Sequence, residues 1–94
     1  MSEKSITHTL TISDGEKNYT CKLREPEFEE YSMSLIALKS VNGKTNIAGA
    51  GKFILESCWV EGDDEIRNNS KLLFNASIFA FELIDFYDGE IKKN

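Results

Sequence analysis

A junction between a strand and a helix in residues 19–31, which read YTCKLREPEFEEY, constrains the fold more than any other stretch. Tyr19, Cys21 and Leu23 alternate with polar residues, which is the pattern of one face of a β-strand. Pro26 then favours a helix start, because the N–H that proline lacks would have no partner in a first helical turn. The helix dipole favours negative charge there, and four glutamates surround the proline: Glu25, Glu27, Glu29 and Glu30. The stretch therefore predicts a strand that runs directly into a helix.

The residues before this junction predict an antiparallel β-hairpin in residues 5–24. Residues 5–12 alternate and place four side chains on one face: Ile6, His8, Leu10 and Ile12. Asp14-Gly15 is a hairpin turn signal, since glycine adopts the positive φ that tight turns need, and residues 17–23 alternate again. An isolated hairpin is marginally stable in water, so its apolar face is expected to pack on the helices that follow.

The first helix is predicted to run from Pro26 to Val41 and to end at Asn42-Gly43, where glycine suits the left-handed C-terminal cap. Apolar residues recur in it at spacings of three and four and form one stripe: Phe28, Tyr31, Leu35 and Leu38. A stripe of this kind is the face that a helix normally buries.

The second helix is predicted to begin near Thr45 or Asn46, either of which is a suitable N-cap. It carries five residues toward the core: Ile47, Gly51, Ile54, Leu55 and Cys58. Each glycine of Gly49-Ala50-Gly51 costs a helix about 1 kcal/mol relative to alanine, so this segment is expected to admit a neighbouring backbone or to act as a hinge. A short helical turn, capped by Asp63, is predicted after it.

The last helix is predicted to run from a cap at Ser70 to about Tyr87, with apolar residues on two opposite faces. The core face contains Leu72, Ala76, Phe79, Leu83 and Tyr87, widened by Leu73, Ala80, Ile84 and Phe86. The other face carries Phe74, Ile78 and Phe81. Exposed apolar clusters often mark interaction sites, so these three residues are the predicted partner-binding surface. The hairpin or a second copy of the chain could equally cover this face.

Together these elements predict an α+β fold, in which an N-terminal antiparallel β-hairpin is followed by three to four α-helices. A chain of 94 residues is expected to form a single domain, 1–94, with its helical part in 26–92. Cys21 and Cys58 lie in apolar patterns, so they are expected to be reduced and buried.

Charge and hydropathy limit the kinds of partner and the cellular location that the sequence predicts. A formal net charge of −5 argues against nucleic-acid binding, which needs clustered lysine and arginine. No apolar run is long enough to span a bilayer, and the N-terminus lacks the apolar region of a signal peptide. The expected location is therefore the cytoplasm, without membrane contact.

No catalytic, cofactor or metal site is predicted. Gly43-Lys44-Thr45 resembles the end of a phosphate-binding loop, but Leu38 stands where that motif needs its first glycine. His8 is the only histidine, so the sequence predicts no catalytic triad, and His8 with two distant cysteines cannot supply the four ligands of a structural zinc site. The acidic residues in 61–65 lack the spacing of a calcium loop and suit helix capping instead. We therefore expect a protein that is not an enzyme.

The order of elements resembles that of the tail assembly chaperones of long-tailed bacteriophages and prophages. The resemblance begins at Leu23-Arg24-Glu25-Pro26, which is similar to the family's strand-to-helix element, and continues through the helix around 31–38. It then includes the helix end at 54–59, the acidic turn at 61–63 and a final amphipathic helix.

The resemblance implies a small, acidic, non-enzymatic protein that binds the long tape measure protein and keeps it soluble until the tail tube polymerises around it. It implies no cofactor, and it places the protein in the cytoplasm of the bacterial host. Two other functions remain open at this point: a small structural component of the tail or head-tail junction, and an acidic inhibitor of a host protein.

Overall fold

The strand-to-helix junction is present in the computed structural model, which describes residues 6–39, 44–85 and 87–92. In chain order the elements are β1 (Thr7–Ser13), β2 (Asn18–Arg24), α1 (Phe28–Leu38), α2 (Ile47–Ser57), β3 (Trp59–Gly62), α3 (Glu65–Asn68) and α4 (Ser70–Ala80), followed by a 3₁₀ turn, Phe81–Leu83. The predicted α+β fold, with an N-terminal hairpin followed by helices, is confirmed.

The hairpin forms as its turn chemistry predicts. Gly15 has a φ of 96°, and the carboxylate of Asp14 accepts two backbone N–H groups of the turn. The inward-facing residues of the two strands are paired in register, with Leu10 opposite Cys21 and Ile12 opposite Tyr19.

A third strand, β3, pairs antiparallel with β2, so that the strand order is β1-β2-β3. The sequence does not predict this strand, because its four residues are too few to show alternation and Trp59 extends the apolar pattern of the preceding helix. Asp63, just after β3, accepts the backbone N–H of Thr20 at 2.9 Å and so joins the strand end to β2.

The first helix is shorter than predicted at its N-terminus. Glu27 is the N-cap of α1, and it forms a capping box with Glu30, so Pro26 lies one residue before the N-cap rather than inside the helix. The helix is also shorter at its C-terminus, since it ends at Leu38 with Lys39 as the C-cap instead of continuing to Val41. The predicted cap at Asn42-Gly43 lies outside the described residues.

The caps of the other helices differ in detail from the predictions. Asn46 caps α2 as predicted, and its side chain accepts the N–H of Gly49 at 2.9 Å. Asp64 rather than Asp63 precedes α3, and Asn69 rather than Ser70 caps α4. The prediction that the last helix reaches Tyr87 is wrong, because α4 ends at Ala80.

The core centres on α2, which packs against both α1 and α4. Gly51 is the reason that α4 lies so close, since a Cβ atom there would overlap the main-chain carbonyl of Ser77. The expectation of a close backbone approach is therefore confirmed at this glycine. The core consists of Ile12, Cys21, Leu23, Ala50, Ile54, Leu55, Cys58, Ile66, Leu72, Ala76, Ala80 and Ile84.

Three residues of the second and last predicted helices that were assigned to the core lie at the surface. Phe79 is 48% exposed, because the small residues Ser77 and Ala80 occupy the contact with α2 and turn the phenyl ring toward the β1 side of α4. Tyr87 is exposed because the chain leaves the helix before reaching it, and Ile47 is exposed in the first turn of α2. Both cysteines are free and buried, as predicted, and burial raises the pKa of each thiol to about 11.

Candidate partner-binding groove

An arginine at the end of β2 ties three elements together. The Arg24 guanidinium binds both carboxylate oxygens of Glu30 on α1, at 2.8 and 2.5 Å, and also donates to the main-chain oxygen of Ser57 at 3.0 Å. The backbone N–H of Arg24 donates to the oxygen of Cys58 at 2.8 Å, which fixes the strand against the end of α2. A paired, bidentate contact of this kind has a defined geometry, so it determines how α1 sits on the domain.

This ion pair turns the polar side of α1 inward. Glu30 is held toward β2, and Ser34, one turn later, is the only fully buried residue of the helix and donates its hydroxyl to the oxygen of Tyr31 at 2.7 Å. The predicted apolar stripe is thereby rotated toward the surface: Phe28 is 78% exposed and Leu35 is also exposed. Only Tyr31 and Leu38 of that stripe are packed against the core.

The exposed stripe forms one wall of a groove. The opposite wall is the chain segment after the 3₁₀ turn, and the groove encloses about 410 Å³. Its lining consists of Phe28, Tyr31, Ser32, Leu35, Ile84, Asp85 and Tyr87. Ile84 is buried and Phe28 is exposed, so the groove has an apolar floor and an apolar rim open to solvent.

The charged groups of the groove are negative. Asp85 lines it, and Glu25 Oε2 lies 3.5 Å from the Tyr31 hydroxyl at the same wall. Burial raises the pKa of Tyr31, and the negative charges of Glu25 and Asp85 raise it further. No lysine or arginine is among the lining residues in the part of the chain that the structure describes.

Apolar side chains continue beyond the groove on the outer side of α1. Ile36 is 63% exposed and Met33 is about half exposed. One helix of eleven residues therefore presents four exposed large apolar side chains, Phe28, Met33, Leu35 and Ile36, while it buries a serine. Contiguous exposed apolar surface on a small soluble protein indicates an interaction site.

The predicted site residues on the last helix are distributed differently. Phe74 is 54% exposed, whereas Ile78 and Phe81 are half-buried, and Phe81 lies in the 3₁₀ turn and packs against the core. The hairpin contacts α4 near Phe79, which lines two cavities with residues of β1. Only Phe74 of the three predicted residues is therefore largely exposed.

Residues with other potential chemistry are held by structural contacts. His8 Nε2 donates to Glu25 Oε1 at 2.6 Å, and three acidic residues of the 61–65 region pair with cations: Lys22 with Glu61, Arg67 with Asp64 and Lys17 with Glu65. Within 6–39, 44–85 and 87–92 no cluster of three or more potential metal ligands occurs. Gly49–Lys52 lies inside α2, as predicted, and Gly43 lies outside the described residues.

The sequence contained a signal for the groove that the apolar periodicity concealed. Glu27 and Glu30 have the spacing of a capping box, and Ser34 follows Glu30 by one turn, so these residues define a small and polar face. Arg24 in the preceding strand is a partner for that face. A prediction that oriented α1 by the pairing of Arg24 with Glu30 would have placed Phe28 and Leu35 at the surface.

Comparison with known proteins leaves the function open. No protein-family model, no curated protein and no solved structure matches this chain. Among the described residues, none of the helices combines the length and apolar character that crossing a bilayer requires.

Proposed function

We propose that this protein is a non-enzymatic tail assembly chaperone of the kind found in long-tailed bacteriophages and prophages, which binds the tape measure protein and keeps it soluble. The observation that carries the proposal is the orientation of α1, which buries Ser34, half-buries Glu30 against Arg24, and leaves Phe28, Leu35 and Ile36 at the surface. As a rule, apolar residues are buried, and the exceptions in natural proteins are found mainly at functional sites.

A protein that keeps an apolar client soluble needs two properties. It needs exposed apolar surface that the client can cover, which the groove and the outer side of α1 supply. It must also remain soluble when no client is bound, which its net charge of −5 favours through mutual repulsion. An amphipathic client helix would enter such a groove with side chains spaced at i, i+3, i+4 and i+7.

Co-expression with the tape measure protein of the same genome tests the proposal. We expect the tape measure protein to become soluble and to co-purify with many copies of this chain. The double variant Phe28→Glu, Leu35→Glu is expected to reduce the recovered complex at least about tenfold, because it places two charges in the apolar contact. The measurement is the amount of soluble, co-purified tape measure protein on a calibrated gel.

Two matched variants control this experiment. Val60→Glu changes an apolar residue on β3 that is about as exposed as Leu35 but lies away from the groove, and it should leave recovery unchanged. Phe74→Glu tests the surface predicted from the sequence, and a loss confined to this variant would move the client site to α4. If the unaltered chain purifies alone while the tape measure protein precipitates, the proposed function is wrong.

A further inference from the structure

We propose that the groove selects a helical segment whose apolar face is flanked by lysine or arginine, with a basic side chain placed between Asp85 and Glu25. This inference rests on the proposed function and adds the chemistry of the partner. The groove is defined here by Phe28, Tyr31, Ser32, Leu35, Ile84, Asp85 and Tyr87.

The length of the groove suits two turns of a helix. Phe28 and Leu35 mark its α1 wall and are seven residues apart, which corresponds to about 10 Å along a helix axis. A partner helix lying along this wall would present apolar residues at i, i+3 or i+4, and i+7 over the same distance. The floor at Ile84 and the rim at Phe28 are apolar, so they match that face.

The charges around the groove determine which side chains a partner helix should carry beside its apolar face. Asp85 has no ion-pair partner among the residues that the structure describes, and it lies at the wall opposite α1. Glu25 lies 3.5 Å from the Tyr31 hydroxyl and receives a hydrogen bond from His8, while the exposed Glu29 adds charge at the start of α1. Interfaces are arranged so that opposite charges meet, so an incoming helix gains from cations at these positions.

The same charges disfavour pairing of two identical copies through the groove. A twofold interface brings the same surface patch of both subunits together, so Asp85 and Glu25 of one copy would face acidic groups of the other. Like charges opposed across an interface are unfavourable. A second copy of this chain is therefore a poorer occupant than a basic amphipathic helix.

Two designed peptides test this inference. Each has 21 residues and a stripe of leucines at helical spacing; one carries lysine on both sides of the stripe, and the other carries glutamate at the same positions. We expect the lysine peptide to bind at least about tenfold more tightly at low salt, and its affinity to fall when salt is raised to about 0.5 M. Fluorescence anisotropy of labelled peptides measures both dissociation constants.

A charge swap provides the sharper comparison. Asp85 is exposed, so it can be replaced without disturbing the core. Asp85→Lys is expected to weaken binding of the lysine peptide about fivefold and to strengthen binding of the glutamate peptide. Lys92→Glu changes an exposed charge outside the groove lining and should leave the preference between the peptides as it is.

The outcomes separate this inference from the proposed function. Equal binding of both peptides, or a preference that Asp85→Lys does not change, overturns the selection for basic flanks and leaves the chaperone function intact. Failure of both peptides while the tape measure protein is still solubilised overturns the groove as the binding site. Self-association that Phe28→Glu abolishes, seen by sedimentation, overturns the choice of occupant.

Discussion

Gly51→Ala is expected to lower the free energy of unfolding by about 3 kcal/mol or more, which is a large fraction of the stability of a domain of this size. The reason is geometric: α4 crosses α2 at this glycine, and an added Cβ would overlap the carbonyl oxygen of Ser77 and press on the backbone of Phe81. Main-chain atoms cannot rotate away as a side chain can, so the two helices must separate. Urea unfolding followed by circular dichroism measures the change.

Gly49→Ala, two residues earlier in the same helix, is the matched control. Its Cβ would meet only the side chain of Asn46, which can rotate aside. The loss of that cap costs about 1 kcal/mol, and the gain in helix propensity from glycine to alanine is of similar size. The stability of this variant should therefore stay within about 1 kcal/mol of the original. Equal effects at both positions would mean that Gly51 is not the crossing point of α2 and α4.

Glu30→Gln is expected to destabilise the protein by about 2 kcal/mol at neutral pH, because it leaves the Arg24 guanidinium facing an uncharged amide. Arg24 holds the pKa of Glu30 at about 2, below its usual value near 4.5. A carboxyl group whose pKa is lower in the folded state stabilises the protein above its unfolded pKa, and this contribution is lost as pH falls through the folded pKa. The difference in stability between the two proteins should therefore shrink as pH falls from about 4.5 to 2.

Glu29→Gln controls for the general effect of charge in the first turn of α1. Glu29 is exposed and is expected to contribute only a few tenths of a kcal/mol through the helix dipole. Urea titrations of the three proteins at several pH values measure these differences. If Glu30→Gln and Glu29→Gln behave alike at every pH, the ion pair does not hold α1 in place.

Local chemistry made part of the fold predictable. The hairpin depends on Asp14-Gly15 and on short-range alternation, and the start of α2 depends on Asn46, so each could be predicted from neighbouring residues. Gly51 was also interpretable, because a glycine inside an apolar helical pattern has few explanations other than close packing.

The rest depended on contacts between distant residues. The strand β3 forms because it pairs with β2, which is distant in sequence. Its four residues are too few to show an alternating pattern. No glycine or proline lies between the last helix and Gly89, so the apolar periodicity continued past the true end at Ala80.

The candidate site was the least predictable part for the same reason. The rotation of α1 follows from Arg24 binding Glu30 and the carbonyl of Ser57, which is 33 residues away from the arginine. Periodicity alone places the most apolar stripe inward, and so it assigned Phe28 and Leu35 to the buried face. An ion pair that orients a helix cannot be recognised until the strand and both helices are placed together.

Hydrogen–deuterium exchange of this protein, free and bound to the tape measure protein, tests the central claim most directly. We predict slower exchange in residues 28–35 and at Ile84, Asp85 and Tyr87, which line the two walls of the groove, with little change in β1. Unchanged exchange in both walls, together with protection of α4 around Phe74, would contradict the claim and place the partner on the face of the last helix instead.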